Sequence, residues 1–170
     1  MSREGTSVTI RAATPDDAEM VVAMVRALSV HEGQAPPGFT PAQFRRRAFG
    51  LDAAYRHVHR GGSRRTRGHS GLPRRLGASG LQVDDLYVVE SWRRCGVGVQ
   101  LLAAVGYEAR QRGGDWVAWM VRPDNPLAFA FYRGIGGTLN ADFTMYLRGS
   151  RLDRLVTRAP RADPSPRCCP

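Results

Sequence analysis

Apolar residues in the first third of the chain recur at helical spacing and predict two helices. The first begins at T-P-D-D (14–17), which offers an N-cap, a proline at the first helical position and acids beside the positive end of the helix dipole. The second begins at T-P-A-Q (40–43), which has the form of a capping box. The stretch 8–12, ahead of both helices, is predicted to be a strand. The apolar positions that follow the two starts are Val21, Val25 and Leu28 in the first helix, and Phe44, Ala48 and Leu51 in the second.

A strand, a glycine-rich turn and a helix follow one another between 81 and 102. The strand reads L-Q-V-D-D-L-Y-V-V-E, and R-R-C-G-V-G (93–98, the glycine turn) leads into an apolar helix. Gly96 and Gly98 remove side chains where a backbone must approach a ligand closely, and the first turn of a helix has N–H groups without intrahelical acceptors. Those groups, the helix dipole and the arginines at 93 and 94 favour an anion such as a pyrophosphate.

Two sequence blocks carry a family resemblance. The spacing Arg93-x-x-Gly96-x-Gly98 after a strand resembles the acetyl-coenzyme A (acetyl-CoA) signature of the GNAT superfamily of N-acetyltransferases, in which Q/R-x-x-G-x-G/A wraps the pyrophosphate. The block N-x-x-A-x-x-F-Y-x-x-x-G at 125–136 is similar to a later helix of the superfamily, whose Asn and Tyr face the cofactor. The order of the N-terminal elements and V-D-D-L-Y-V at 83–88 resemble the diamine acetyltransferase branch, whose members often read L-E-D-L-Y-V.

The resemblance implies a fold, a cofactor and a reaction. The fold is α/β (α+β), a GNAT acyltransferase fold with a mixed central sheet flanked by helices, and the domain is expected to span 1–150. The reaction is transfer of an acetyl group from acetyl-CoA to a primary amine, by direct attack of the amine on the thioester without a covalent enzyme intermediate. Such a site needs a held cofactor, a route for the amine proton and an acid for the leaving thiolate.

The same resemblance implies which residues hold the cofactor and protonate the thiolate. The backbone N–H of Val88 or its neighbour would polarise the acetyl carbonyl, where the fourth and fifth strands splay. Tyr132 matches the family's general acid, although an aromatic residue on this helix can also simply pack against the sheet. The other residues implied to bind the cofactor are Arg93, Arg94, Cys95, Gly96, Val97, Gly98, Val99 and Asn125.

Acidic residues near the expected acceptor site favour a small cationic amine, such as a polyamine or a lysine analogue. On a regular strand Asp84 and Asp85 point to opposite faces, so at most one of them lines a given site. Asp84 is predicted to bind the substrate ammonium and to take its proton, directly or through water, and Asp85 to contact substrate or serve a network on the other face. Glu32 and Trp92 are further candidates for substrate binding, with a surface carboxylate and a cap of the strand end as the alternatives. Aminoglycosides, amino acids and protein N-termini stay open as acceptors.

The stretch 56–76 has neither the period of a strand nor that of a helix, although the family fold needs two core strands there. The second and third strands are therefore predicted to be missing or degraded. All 25 basic residues are arginine, which suggests a GC-rich gene, and we hypothesise that 57–76 is translated out of frame. A genuine flexible basic loop is the alternative. Because the loss of two strands would disrupt the core, an inactive GNAT-like remnant is the alternative to a working enzyme.

Two segments account for the net charge of +10. Residues 55–80 hold seven Arg and no acid, and residues 151–170 hold five Arg and two Asp, whereas the rest of the chain is charge-balanced. A basic nucleic-acid-binding protein is a further alternative, but the basic stretch lacks the interleaved aromatic residues that stack on bases. The Arg- and Pro-rich tail, 151–170, is predicted to be disordered.

Three further expectations concern location, metals and assembly. No apolar run approaches the roughly 20 residues that cross a bilayer, and the N-terminus has no charged start followed by an apolar core, so a cytoplasmic protein is expected. Cys95, Cys168 and Cys169 form neither a disulfide framework nor two C-x-x-C pairs, and H-V-H at 57–59 lacks a third ligand at suitable spacing, so no metal site is expected. Relatives in the diamine branch are often dimers, which leaves a homodimer open.

Overall fold

The computed structural model describes residues 9–49, the backbone of 62–67, and residues 80–140 and 144–159. The strands described there form one mixed sheet of five, in the order β1-β2-β3-β5-β4. They are β1 (Gly62–Arg67), β2 (Gly80–Val88), β3 (Trp116–Met120), β4 (Thr138–Leu139) and β5 (Thr144–Arg148). The helices are α1 (Ala18–His31), α2 (Pro41–Phe49), α3 (Val97–Gln111), α4 (Pro126–Gly134) and α5 (Ser150–Val156), with short 3-10 turns at Pro15–Asp17 and Glu90–Trp92.

Both predicted N-terminal helices are present, and their capping signals form the expected hydrogen bonds. Before α1, the Thr14 N–H donates to the Asp17 carboxylate at 2.8 Å. Before α2, the Thr40 N–H donates to Oε1 of Gln43 at 2.9 Å, and the Gln43 N–H donates to Oγ1 of Thr40 at 3.2 Å. Leu51 lies outside the described residues. The other predicted apolar positions are buried: Val21, Val25, Leu28, Phe44 and Ala48.

The strand β2 pairs antiparallel with β1 and parallel with β3. The parallel pairing runs from Gly80 opposite Trp116 to Val83 opposite Trp119. Beyond this point β2 continues beside β1 to Val88, whereas β3 pairs on its other side with β5. The pairing between β2 and β3 therefore stops after Val83, one residue before β3 itself ends at Met120, and this is where the family resemblance places the splay of the two strands.

Two apolar clusters hold the helices in place. The larger one joins the sheet to α3 and α5, and α4 packs at its margin. A Cβ on Gly106 of α3 would lie 2.9 Å from Leu152 of α5, so these two helices are in direct contact. The smaller cluster lies between α1 and α2. The sheet residues of the larger cluster are Leu81, Val83, Val117, Trp119, Val121, Met145 and Leu147.

The strand predicted at 8–12 is not observed, since residues 9–12 of this stretch have no strand conformation. Arg11 instead donates to both carboxylate oxygens of Asp17, at 2.7 and 2.8 Å, and to the carbonyl of Ala12 at 2.9 Å. No strand of the described sheet pairs with this segment. Because an extended segment forms a strand only where a neighbour accepts its hydrogen bonds, the stretch serves instead as the approach to α1.

The stretch 56–76 contains a strand, so the prediction that both strands are missing there is wrong for 62–67. Six residues of β1 pair with β2, from Gly62 opposite Val88 to Arg67 opposite Gln82. A ladder is made by backbone groups, and an edge strand can form it without an apolar side-chain pattern. The remainder of 56–76 lies outside the described residues.

The tail predicted to be disordered begins with a helix. In α5, Leu152 is 0 % and Leu155 2 % exposed, and both belong to the larger cluster. Their spacing of three residues places them on one face of a helix, which the high Arg content of the segment had obscured. Residues 160–170 lie outside the described part of the chain.

Candidate active site

Residues 93–96 of the glycine turn are exposed, Val97 is buried in the core, and the turn has two residues in the left-handed region of φ. Gly96 (φ +80°) is the N-cap of α3, and Arg94 (φ +59°) precedes it by two positions. No described atom lies within 4 Å of the position that a Cβ on Gly96 would take. The space beside Gly96 is thus open to a ligand at the positive end of a 15-residue helix, where the first N–H groups have no intrahelical acceptors.

Gly98 has a packing role in addition to the one predicted. A Cβ at this position would lie 3.1 Å from Cζ of Phe131 on α4. The Phe131 ring therefore uses the space that the missing side chain leaves. The two glycines of the turn serve different ends: Gly96 permits a backbone conformation, and Gly98 brings α4 against the start of α3.

Arg93 fastens the glycine turn to the end of β2. Its Nε donates to the Val88 carbonyl at 3.0 Å, and its guanidinium carbon lies 5.8 Å from the centroid of the Tyr87 ring. Cys95 is exposed, with its thiol 3.5 Å from the Arg93 carbonyl. Trp92, predicted to contact substrate, is half-buried at the end of the preceding 3-10 turn.

Asn125 is the N-cap of α4. Its Oδ1 accepts a hydrogen bond from the Ala128 N–H at 3.0 Å, and Pro126 follows at the first helical position. The residue predicted to contact the cofactor therefore also starts the helix that carries Tyr132. The aromatic residues that α4 presents to the larger cluster are Phe129, Phe131 and Tyr132.

Tyr132 lies where α4 meets the sheet. Its ring centroid is 4.8 Å from that of Trp119 on β3 and 5.1 Å from that of Phe131. Burial raises the pKa of Tyr132 to about 12, and the negative charge of Glu32 acts in the same direction. The hydroxyl is therefore protonated at neutral pH and is able to donate a hydrogen bond or a proton.

A buried donor without a partner lies next to Tyr132. Trp119 is 2 % exposed, and its Nε1–H has no hydrogen-bond partner in the described part of the chain. Trp119 is also the last residue of β3 that pairs with β2, so it marks the point where the two strands part. An unsatisfied buried N–H costs about 1–3 kcal/mol, which a polar group bound at this point would recover.

The strands part at a β-bulge in β2. Val83 and Asp85 have consecutive partners in β1, so Asp84 between them is the extra residue. Leu86 joins the same apolar cluster as Val83, although three positions separate them. The prediction that Asp84 and Asp85 point to opposite faces assumed regular alternation, and the bulge removes that basis. Asp84 is exposed and Asp85 is half-buried.

The end of α1 meets the loop between β3 and α4. The Arg122 side chain in this loop donates from Nη1 to the Glu32 carbonyl at 3.0 Å. Its Nε and Nη2 donate to the two carboxylate oxygens of Asp124 at 3.0 and 2.7 Å, and these hydrogen bonds lower the pKa of Asp124. Glu32 lies near enough to Tyr132 for its charge to raise the pKa of the phenol. The structure thus ties the end of α1, where Glu32 lies, to the loop that leads into the helix of the candidate acid.

Sequence reasoning missed three contacts of this region. Phe131, which belongs to the block at 125–136, fills the gap at Gly98, the Trp119 ring packs at a tilt against Tyr132, and Arg122 joins the loop to α1. The partners in these contacts are distant along the chain, so no local sequence pattern predicts them. The spacing R-P-D-N at 122–125, an arginine two positions before an acid at a helix start, was the one available signal.

Within the described ranges, no group of three or more His, Cys, Asp or Glu side chains is arranged to hold a metal ion. None of the helices described has the length and apolar character needed to cross a membrane. The H-V-H sequence at 57–59 lies outside the described residues.

Comparison with known proteins agrees with this geometry. Residues 67–136, which contain the glycine turn, Asn125 and Tyr132, match the family described as "Acetyltransferase (GNAT) family". Among curated proteins no sequence matches the chain.

Several solved structures share the fold. Ard1 from Thermoplasma volcanium is 22% identical, with 82% of this chain and 96% of that chain covered and a TM-score of 0.61. YncA from Salmonella typhimurium, solved with acetyl-CoA, is 16% identical, with 83% and 93% covered and a TM-score of 0.63. The PaiA N-acetyltransferase from Thermoplasma acidophilum, solved with coenzyme A, is 14% identical, with 85% and 100% covered and a TM-score of 0.57. At these identities the likeness shows the fold, which is the GNAT fold predicted above.

Proposed function

We propose that this chain is a GNAT-family acetyltransferase with acetyl-CoA as its co-substrate and that it acetylates a primary amine of a small cationic acceptor. One observation carries the proposal. The glycine turn and the helix bearing Tyr132 touch through Gly98 and Phe131, beside the opening between β2 and β3. A turn suited to a pyrophosphate and a protonated phenol are thereby held on neighbouring elements.

The residues of this site fit acetyl-CoA. The open space at Gly96 lies at a helix N-terminus and is flanked by Arg93 and Arg94, which suits a pyrophosphate. The unpaired Nε1–H of Trp119 offers a buried donor near the strand opening. Residues 93–99 and Asn125 would hold the cofactor, with the backbone of Val88 as a donor to the acetyl carbonyl. Bound acetyl-CoA supplies an activated thioester as the acetyl donor.

The proposed role of Tyr132 is to protonate the leaving thiolate. A raised pKa of about 12 keeps the proton on the phenol at every working pH. The hydroxyl then donates a hydrogen bond to negative charge that develops on sulfur, in a site sheltered by the Trp119 and Phe131 rings. Sheltering from water strengthens such a hydrogen bond.

The proposed acceptor site is the carboxylate-lined side of the opening. Asp84 lies at the bulge where the strands part, Asp85 follows it, and Glu32 approaches from the end of α1. Negative charges at such an opening attract an ammonium group and disfavour anionic acceptors. Asp84 is exposed, so it takes the amine proton directly or through water; Trp92 is proposed to wall the site.

The test is an amine panel with acetyl-CoA, containing spermidine, cadaverine, lysine, an aminoglycoside and a peptide with a free N-terminus. We expect turnover of a diamine, polyamine or lysine, and Asp84→Asn should lower kcat about 100-fold because the ammonium loses its proton acceptor. Affinity for acetyl-CoA should not change in that variant. Asp16→Asn, at an exposed acid of the first 3-10 turn, is the matched control and should behave as wild type.

Two outcomes would contradict the proposal. A folded chain that acetylates no amine would favour the inactive remnant instead. Full activity of Asp84→Asn would leave the family assignment intact but remove the role of Asp84.

A further inference from the structure

Arg122 joins two parts of the site that lie 90 residues apart in sequence. Its Nη1 donates to the carbonyl of Glu32, the C-cap of α1, at 3.0 Å. We propose that Arg122 is a positioning residue, which fixes the end of α1 and the Glu32 carboxylate against the Tyr132 helix and thereby sets the affinity for the acceptor amine. This inference rests on the proposed function and assigns a determinant of its acceptor binding.

The guanidinium of Arg122 is held in a fixed direction. Both carboxylate oxygens of Asp124 accept from it, at 3.0 Å from Nε and 2.7 Å from Nη2. Such a bidentate pair fixes the plane of the guanidinium, and in this orientation Nη1 is directed at the Glu32 carbonyl. Asp124 directly precedes Asn125, which caps α4. The bidentate pair of Arg122 and Asp124 therefore links the end of α1 to the start of the helix that carries Tyr132.

The hydrogen bond from Arg122 spans the two apolar clusters of the molecule. The helix α1 belongs to the smaller cluster with α2, whereas Trp119 and α4 belong to the larger one. Val121 is 6 % exposed and fixes the backbone directly before Arg122. One end of the contact is thus held by the sheet, and the other by the last turn of α1.

The position of Glu32 matters because charge interactions fall off with distance. The Glu32 charge acts on the Tyr132 hydroxyl and also on the Arg122 guanidinium, and the aromatic rings that pack against Tyr132 include the uncharged Trp119 and Phe131. A cationic amine beside Tyr132 would be attracted by the same carboxylate. Loosening the end of α1 should therefore weaken acceptor binding. The glycine turn contacts α4 through Gly98 and Phe131 and not through Arg122 or Asp124, so it should keep its affinity for acetyl-CoA.

The experiment compares Arg122→Gln with a control that has the same chemistry elsewhere. Arg11 also donates hydrogen bonds to both carboxylate oxygens of Asp17 and to the carbonyl of Ala12, but these partners lie within six residues of it. With the best amine of the panel, Arg122→Gln should raise the acceptor KM about tenfold and change kcat less than about threefold. Arg11→Gln should change neither constant. Calorimetry should give an unchanged dissociation constant for acetyl-CoA in both variants.

Two further variants separate positioning from a general structural role. Arg122→Lys keeps the charge but loses the bidentate pair with Asp124, so its acceptor KM should lie between that of wild type and that of Arg122→Gln. Glu32→Gln removes the carboxylate and keeps the carbonyl, and its effect on KM should be smaller in the Arg122→Gln background than alone. Melting temperatures should stay within about 3 °C of wild type, because the pair between Arg122 and Asp124 is exposed.

The outcomes distinguish this inference from the proposed function. A wild-type chain without amine acetylation would refute the proposed function. An active wild type would isolate the inference, and three results would then overturn it: an unchanged KM in Arg122→Gln, an equal loss of acetyl-CoA affinity, or strictly additive effects of the Arg122 and Glu32 substitutions.

Discussion

Neighbours from three elements raise the pKa of the Tyr132 hydroxyl above its ordinary value of about 10. The Trp119 ring of β3 and Phe131 of α4 bury the hydroxyl, and Glu32 at the end of α1 adds a negative charge. The identity of Tyr132 as a candidate acid came from the block at 125–136, but its surroundings come from residues far away in sequence. For Tyr132, the sequence therefore suggests the role of the side chain, and the fold sets its pKa.

Replacement of Tyr132 by Phe should lower kcat by about 100-fold or more, because the thiolate loses its proton donor. Acetyl-CoA affinity should be retained, since the ring still packs against Trp119. Steady-state kinetics and calorimetry on the same preparation check both expectations. Unchanged kcat would assign Tyr132 to packing alone.

The pH dependence of the wild-type enzyme follows from the raised pKa of Tyr132. The unfolded phenol ionises near pH 10 and the folded one near pH 12, so between these values the folded enzyme keeps its proton. We expect no alkaline fall of kcat from pH 7 to about 10.5. An alkaline fall with an apparent pKa below 10, absent from Tyr132→Phe, would contradict the assigned environment.

At the scale of elements, the junction of β2 and β3 sets the geometry of the site. Gly80 begins the parallel pairing, Val83 ends it, and the bulge at Asp84 follows at once. A Cβ on Gly80 would lie 2.2 Å from Cδ2 and 2.4 Å from the carbonyl oxygen of Trp116. The first pair of the junction therefore tolerates no side chain on Gly80.

The substitution Gly80→Ala should destabilise the fold by about 3 kcal/mol, because a backbone carbonyl cannot move aside without breaking the strand pairing. Gly38→Ala is the matched control, since no described atom lies within 4 Å of its Cβ position. That change should stay within about 0.5 kcal/mol of wild type. Urea denaturation of the two variants measures both values, and equal stabilities would show that the junction is not close-packed.

Elements with a local signal were predictable, and those that depend on distant partners were not. The N-cap and proline signal at 14–17 and the capping box at 40–43 predicted α1 and α2, because the hydrogen bonds involved are local. The strand β1 has no apolar period and is held by its ladder with β2, and α5 has only the short apolar signal of Leu152 and Leu155 and packs against Gly106 of α3. The bulge at Asp84 was not predicted for the same reason, since the register of a strand is set by its pairing with a neighbouring strand.

At the scale of the whole molecule, the sequence motifs and the family match cover the same part of the chain. The match over 67–136 contains both blocks from which acetyl-CoA was inferred. The proposed acceptor side, by contrast, depends on the contact between the end of α1 and the β3–α4 loop, which no motif encodes. The net positive charge comes from 55–80 and from the tail. The frame hypothesis for 57–76, the diamine branch, the cytoplasmic location and a homodimer stay predictions.

Calorimetric titration with acetyl-CoA tests the central claim, that the glycine turn binds the cofactor. The wild-type chain should bind one equivalent saturably in the micromolar range. Gly96→Ala should weaken binding at least about fivefold, since a Cβ disfavours the left-handed φ by about 1–2 kcal/mol and enters the ligand's space. Gly113→Ala, at the other end of α3 with φ +70° and equally open surroundings, is the control and should bind as wild type. A folded chain that takes up no acetyl-CoA, or equal affinities of the two variants, would contradict the account.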